Sequence, residues 1–98
     1  MSVESNKEIR RAVDTGKVVF GFKQCKKKLL ANEGEMLIVS NNIPKNDRET
    51  LKQIATVESK KYYEYDGTGL VLGSVCGKPF VISTMLILEA GKSKVLEI

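Results

Sequence analysis

The chain has 98 residues, 42% of them hydrophobic and 29% charged, the balance of one small globular domain and not of a disordered or fibrous chain. Sixteen basic residues face 12 acidic ones, for a net charge of +4, and there is no histidine. The basic excess hints at an anionic partner, and the missing imidazole removes the commonest general base, the commonest metal ligand and every histidine-containing triad.

Residues 4–13 read as a first helix, with Ile9, Ala12 and Val13 on one face and Glu4, Glu8, Arg10 and Arg11 around the rest. Asp14-Thr15-Gly16 ends it, Gly16 suiting a left-handed C-terminal position. The run Lys17 to Phe22 is nearly all apolar, as expected of a strand covered on both faces. A second helix spans about Lys23 to Ala31, with Cys25, Leu29 and Leu30 apolar and Lys23, Lys26, Lys27 and Lys28 in water. Met36 to Val39 is a second buried strand, followed by the loop Ser40-Asn41-Asn42-Ile43-Pro44. Asn46 and Glu49 have capping-box spacing and predict a third helix to about Ser59, with Leu51, Ile54 and Ala55 inward. A third strand runs from Lys61 to Tyr65, and Asp66-Gly67-Thr68-Gly69 turns into a short helix through Leu72 and Val75. Gly77-Lys78-Pro79 breaks that helix, and residues 82–88 make the last strand. Alternating helices and strands predict a three-layer α/β/α sandwich around a mixed sheet of about four strands, as one domain over residues 1–98.

The two cysteines, Cys25 and Cys76, are too few for a disulfide framework and too far apart for a CxxC motif, so free thiols in a reducing cytoplasm are expected. The start, MSVESNKEIRR, lacks the apolar core of a signal peptide, and stretches such as Met85-Leu86-Ile87-Leu88 are far short of a membrane span. Nucleotide-binding and catalytic patterns fail. Leu86 stands where a phosphate-binding loop ending at Gly91-Lys92-Ser93 needs its first glycine, and Gly67 to Gly73 misses the dinucleotide fingerprint by one residue. Ser40, Ser74 and Ser83 have no histidine to activate them. No catalysis, metal or cofactor is expected.

Ligands of open α/β sheets bind beyond the carboxyl ends of the parallel strands. Those ends are Gly21-Phe22-Lys23-Gln24 and Ser40 to Pro44; an antiparallel last strand would bring Lys78-Pro79-Phe80-Val81 to the same edge. Between Thr15 and Asn32 there are five lysines and no acid, which concentrates the positive excess there. Gly21 would let a ligand approach the main chain, and the start of the second helix offers N–H groups and a positive dipole end to an anion. Lys23 and Lys27 share a helical face, so both can address phosphates. Asn42 can read a base edge, and Phe80 can cover an unstacked base. Each residue has a plainer reading. The lysines suit a solvated face, Gly21 a strand end, Asn41-Asn42 a turn before Ile43-Pro44, and Phe80 the core.

Taken together, Asp14-Thr15-Gly16-Lys17, Gly21-Phe22-Lys23-Gln24, Asn42-Ile43-Pro44, Leu72-Gly73 with Gly77-Lys78-Pro79-Phe80, and Ile87 to Ser93 occur in an order and spacing that resembles a known family. It is the thirty-e family of archaeal and eukaryotic large-subunit ribosomal proteins, within the superfamily of ribosomal and guide-RNA proteins that bind kink-turns. The likeness runs from about Glu8 to Ile98. It implies an α/β/α sandwich in the large subunit of a cytoplasmic ribosome, monomeric when free, with ribosomal RNA and other ribosomal proteins as partners and no membrane. It further implies that Gly21, Phe22, Lys23, Gln24 and Lys27 form a contact segment for a bent internal RNA loop. Asn42 matches a base-reading asparagine beside Pro44, and Phe80, Val81, Ile82 and Ser83 a loop that packs on extruded bases. Relatives commonly carry a basic residue where this chain has Val81, which leaves that loop to apolar and backbone contacts. A guide-RNA particle protein would show Asn-Glu where this chain has Lys23-Gln24, and a protein adaptor on the same fold would be acidic where this chain is basic.

Overall fold

The elements are those of a computed structural model, which describes residues 5–98; Glu4, assigned above to the first helix, lies outside the described residues, as do Met1 to Val3. The order is α1 (Ser5–Thr15), β1 (Lys17–Phe20), α2 (Phe22–Leu30), β2 (Met36–Val39), α3 (Lys45–Val57), β3 (Lys61–Glu64), α4 (Gly69–Val75), β4 (Thr84–Glu89) and a final 3-10 turn (Val95–Glu97). The sheet order is β1-β4-β2-β3. The last strand is thus inserted between the first two, antiparallel to both, while β2 and β3 pair in parallel.

The two central strands are the most apolar, and all four β2 residues are buried. Because side chains alternate along a strand, Met36 and Ile38 join Ile9, Ala12, Leu72, Cys76, Met85, Ile87 and Val95 under α1 and α4. Leu37 and Val39 join Cys25, Leu29, Leu51, Ala55 and Leu86 under α2 and α3. Helices cover both faces of a mixed four-stranded sheet, as the alternation of elements predicts. Full burial of each large apolar side chain contributes about 1.5–3 kcal/mol.

Gly16 follows α1 without the left-handed backbone expected of it, and four further local expectations are corrected. β1 stops at Phe20 and is a half-buried edge strand, because Gly21 breaks the ladder and Phe22 already opens α2. Leu30, expected inside, is 60% exposed at the end of α2, since Cys25 and Leu29 already fill the face on the sheet. The Asn46–Glu49 capping box does not form: α3 starts at Lys45 after the extended Pro44, without a side-chain cap, so Asn46 is inside the first turn. Glu8, placed away from the apolar face of α1, is buried.

Candidate nucleic-acid interface

The carboxyl ends of β1 and β2 and the amino end of β4 meet because β4 runs against both neighbours. The loops there are tied to one another by main-chain bonds. The Gly21 N–H donates to the Thr84 carbonyl at 2.9 Å, and the Ser40 N–H to the Ser83 carbonyl at 2.9 Å. The Asn41 N–H donates to the Gly67 carbonyl at 2.9 Å, and the Ile82 N–H to the Gly69 carbonyl at 2.9 Å. The three connectors expected at one edge are therefore brought together, and the turn Gly67-Thr68-Gly69 joins them as a fourth. The sequence shows that turn as the entry to α4 and as a near-miss glycine motif, not as part of this edge.

The first connector suits an anion. Gly21 caps α2 with φ 95° and ψ 147°, a backbone conformation that only glycine adopts readily. A Cβ there would meet nothing within 4 Å, so the space over this main chain is open. No side chain caps the helix and no acid lies in its first turn, which leaves the N–H groups of Phe22, Lys23 and Gln24 facing outward beyond the Cys25–Gly21 bond of 3.0 Å. Lys23, Gln24 and Lys27 are exposed. Lys26 lies over the half-buried Phe22 ring at 5.8 Å, and Lys28 pairs with Glu33 at 3.6 Å, so neither is as available as Lys23 and Lys27.

The second connector holds Asn42 rigidly. Its Oδ1 accepts the Ser40 hydroxyl at 2.8 Å and the Gly69 N–H at 3.1 Å. Two donors on one oxygen fix the amide and turn its NH2 group outward. Asn42 therefore offers donors, not the donor–acceptor pair expected from its residue type, and matches acceptors such as the O6 and N7 edge of guanine. The buried Ile43 anchors the loop, and exposed Pro44 immediately precedes α3. Arg48 steadies the loop by donating to the Asn41 carbonyl at 3.1 Å.

In the third connector Phe80 is 51% and Val81 60% exposed. Phe80 meets Phe20 edge-on with ring centres 6.5 Å apart, and Lys78 lies 5.7 Å from the Phe20 ring. Two glycines of α4 make this loop possible: a Cβ on Gly73 would lie 2.1 Å from the Phe80 carbonyl, and one on Gly69 2.7 Å from Val81 Cγ1. Leu70, Val71, Phe80 and Val81 stay exposed, more apolar surface than Phe80 and Val81 alone had suggested. Ile82 is the correction. It is only 2% exposed and packs in the core under α1 and α4, so its side chain cannot cover a base; burial of a branched aliphatic outweighs display. Half-buried Ser83 contributes the carbonyl that holds Ser40.

Neither thiol takes part. Burial pushes the Cys25 thiol up to about 12 and that of Cys76 up to about 11. Among the described residues no group of three or more Cys, Asp or Glu is placed to hold a metal ion, and no helix is long and apolar enough to cross a membrane.

This combination defines a three-layer α/β/α domain with a rigid, loop-built rim that joins a cationic helix start to fixed amide donors and an apolar platform. The chain belongs to the Ribosomal protein L7Ae/L30e/S12e/Gadd45 family, whose match spans residues 4–97. It is 40% identical over 97 residues to the large ribosomal subunit protein eL30 of Methanocaldococcus jannaschii, covering 99% of this chain and 88% of that protein. The eL30 protein of Methanosphaera stadtmanae is 39% identical over 90 residues, 92% of each chain. That of Saccharolobus solfataricus is 37% identical over 91 residues, covering 93% of this chain and 84% of its relative.

Proposed function

We propose that this protein is a structural component of the large ribosomal subunit that binds and stabilises a kink-turn, a sharply bent internal loop, in ribosomal RNA. The observation that carries the reading is the joining of the three connectors through main-chain bonds and the doubly held Asn42. The names of the eL30 relatives supply the ribosomal setting.

Bending an RNA helix at an internal loop brings two phosphate backbones together, and their repulsion opposes the bend. Lys23, Lys27 and the free N–H groups of α2 neutralise that crowding, with open space over Gly21 for the backbone itself. Asn42 donates to an exposed base edge, and Gln24 stands beside it on the rim. Phe80 and Val81 cover an unstacked base. The protein stabilises the bent conformer because it binds that form better than the extended one. With few phosphate contacts, affinity falls only gently with salt, and shape outweighs charge.

Titration with a kink-turn RNA and with a straight duplex of equal length tests the reading: the bent RNA binds more tightly, and equal affinity refutes it. Co-sedimentation with large ribosomal subunits tests the cellular setting, with ribosomal RNA and neighbouring ribosomal proteins as partners in the cytoplasm.

A further inference from the structure

The segment after β4 is strapped along α1 at the end of the sheet opposite the rim. Glu8 makes the first tie: its Oε1 accepts the Lys94 N–H at 2.8 Å and the Ser93 hydroxyl at 3.2 Å. The same hydroxyl also donates to the Glu8 carbonyl and accepts the Val95 N–H at 3.0 Å. Thr15 makes the second tie, its Oγ1 accepting the Lys92 N–H at 3.0 Å. Gly91, at φ 64°, comes so close that a Cβ would lie 2.5 Å from the Thr15 carbonyl, a backbone approach only glycine permits.

Through these ties Lys92 and Lys94 flank the stretch of α1 that carries Lys7 and Arg11, and all four side chains are exposed. Among the described residues none of the four is ion-paired. The nearby acids are engaged: Glu8 by the strap, Asp14 by Arg10 at 3.0 Å and Glu89 by Lys17 at 4.0 Å, while Glu97 is exposed further along. Lys7 adjoins Glu8 and Arg11 follows it by one helical turn of α1, so both cations stem from beside the clasp; the Glu8 carboxyl is held below its ordinary value, first by the Lys94 N–H. Summing charge along the chain hides this cluster, because its members come from opposite ends of the sequence.

We propose that this face is a second polyanion contact, gripping the phosphate backbone of another RNA segment without reading its sequence. The inference rests on the ribosomal reading above and extends it: one copy would tie two RNA segments together, from opposite ends of the sheet. Four unpaired cations on a strap and the helix that holds it, with Glu8, Asp14 and Glu89 engaged and only Glu97 left exposed further along, are the arrangement such a contact needs.

The test uses the whole chain, a kink-turn RNA with short stems, and a separate straight RNA duplex. The Lys92→Gln/Lys94→Gln variant, with or without Arg11→Gln, removes charge but keeps the clasp, which uses the backbone N–H of Lys94. The duplex is expected to add to the preformed protein–kink-turn complex. The variant should lose about tenfold in duplex affinity at low salt, with a shallower salt dependence, and change kink-turn affinity by no more than about twofold. Displacement of the kink-turn RNA by the duplex overturns the proposal. So does unchanged duplex affinity in the variant, which would mean that the duplex does not use this face. If the kink-turn RNA fails to bind while the variant still loses the duplex, the ribosomal reading falls and the second contact stands.

Discussion

Asn42 and Gly69, 27 positions apart, are joined by a hydrogen bond of 3.1 Å from the Gly69 N–H to Asn42 Oδ1. With the Ser40 hydroxyl on the same oxygen, this bond couples the loop after β2 to the start of α4. It also decides what Asn42 has left to offer, which is two N–H donors.

Substitution separates the two duties of that side chain. Asn42→Asp keeps an acceptor for Ser40 and Gly69 but offers no donor and sets a negative charge beside phosphate. Its thermal midpoint should stay near wild type while kink-turn affinity falls. Asn42→Ala should lose about 1–3 kcal/mol of binding, and a further ~1–3 kcal/mol of stability from the unpaired Gly69 N–H. Calorimetric titration and thermal melts measure both; an aspartate variant that binds like wild type would reduce Asn42 to a loop staple.

Gly21→Ala meets no atom, so its stability cost is the backbone strain alone, about 1–3 kcal/mol by urea denaturation. A loss of RNA affinity in the folded variant then reports a ligand lying over Gly21. Affinity equal to wild type would mean that space is not used.

Lys23→Ala should weaken kink-turn binding more than Lys28→Ala, because Lys28 already faces Glu33 at 3.6 Å and Lys23 is free of ion pairs among the described residues. Affinity and its salt dependence, measured for each variant, give the order. The reverse order would turn α2 the wrong way round.

Glu8 has a lowered folded-state pKa, chiefly from the Lys94 N–H. Its contribution is therefore present above the ordinary glutamate value of about 4.3 and is lost as pH falls through the lower folded value. Urea midpoints of wild type and Glu8→Gln, followed from neutral pH downward, should differ most at neutrality and converge in acid. A gap independent of pH would show that the carboxylate charge is irrelevant to the clasp.

With thiols at about 12 and about 11, Cys25 and Cys76 stay protonated and covered. Iodoacetamide at about pH 8 should leave the native protein unmodified and alkylate both cysteines in urea. Rapid labelling of either in the native state would contradict its burial.

What the sequence discloses is mainly what periodicity carries. The burial of β2 and the inward face of α3 are correct because Met36 to Val39 form a continuous apolar run and Leu51, Ile54 and Ala55 repeat at the helix period. Edge position is not a local property: β1, apolar like β2 and packed on both faces through Val18, Phe20 and Val19, is nevertheless only half-buried. The Asn46–Glu49 pattern satisfied the capping rule in spacing alone, and Pro44 had already set the helix start. Ile82 and Phe80 look alike in the sequence; one is core and the other surface because Gly69 and Gly73 admit the loop between them at main-chain distance. Likewise nothing local shows that Glu8 is buried, because its partners Ser93 and Lys94 lie at the far end of the chain. The rim was legible as a set of loop ends, but the fixed orientation of Asn42 depends on a bond to Gly69 that no short-range pattern contains.

The placement of β4 between β1 and β2 also governs when the protein becomes competent. Before the last strand exists, β1 and β2 have no common neighbour, and the Gly21 and Ser40 N–H groups lack the carbonyls of Thr84 and Ser83 that hold them. A growing chain can form helices and pair β2 with β3, yet it cannot present the assembled grip. Completion of the rim thus waits for β4 to enter the sheet, however early its other loops are made.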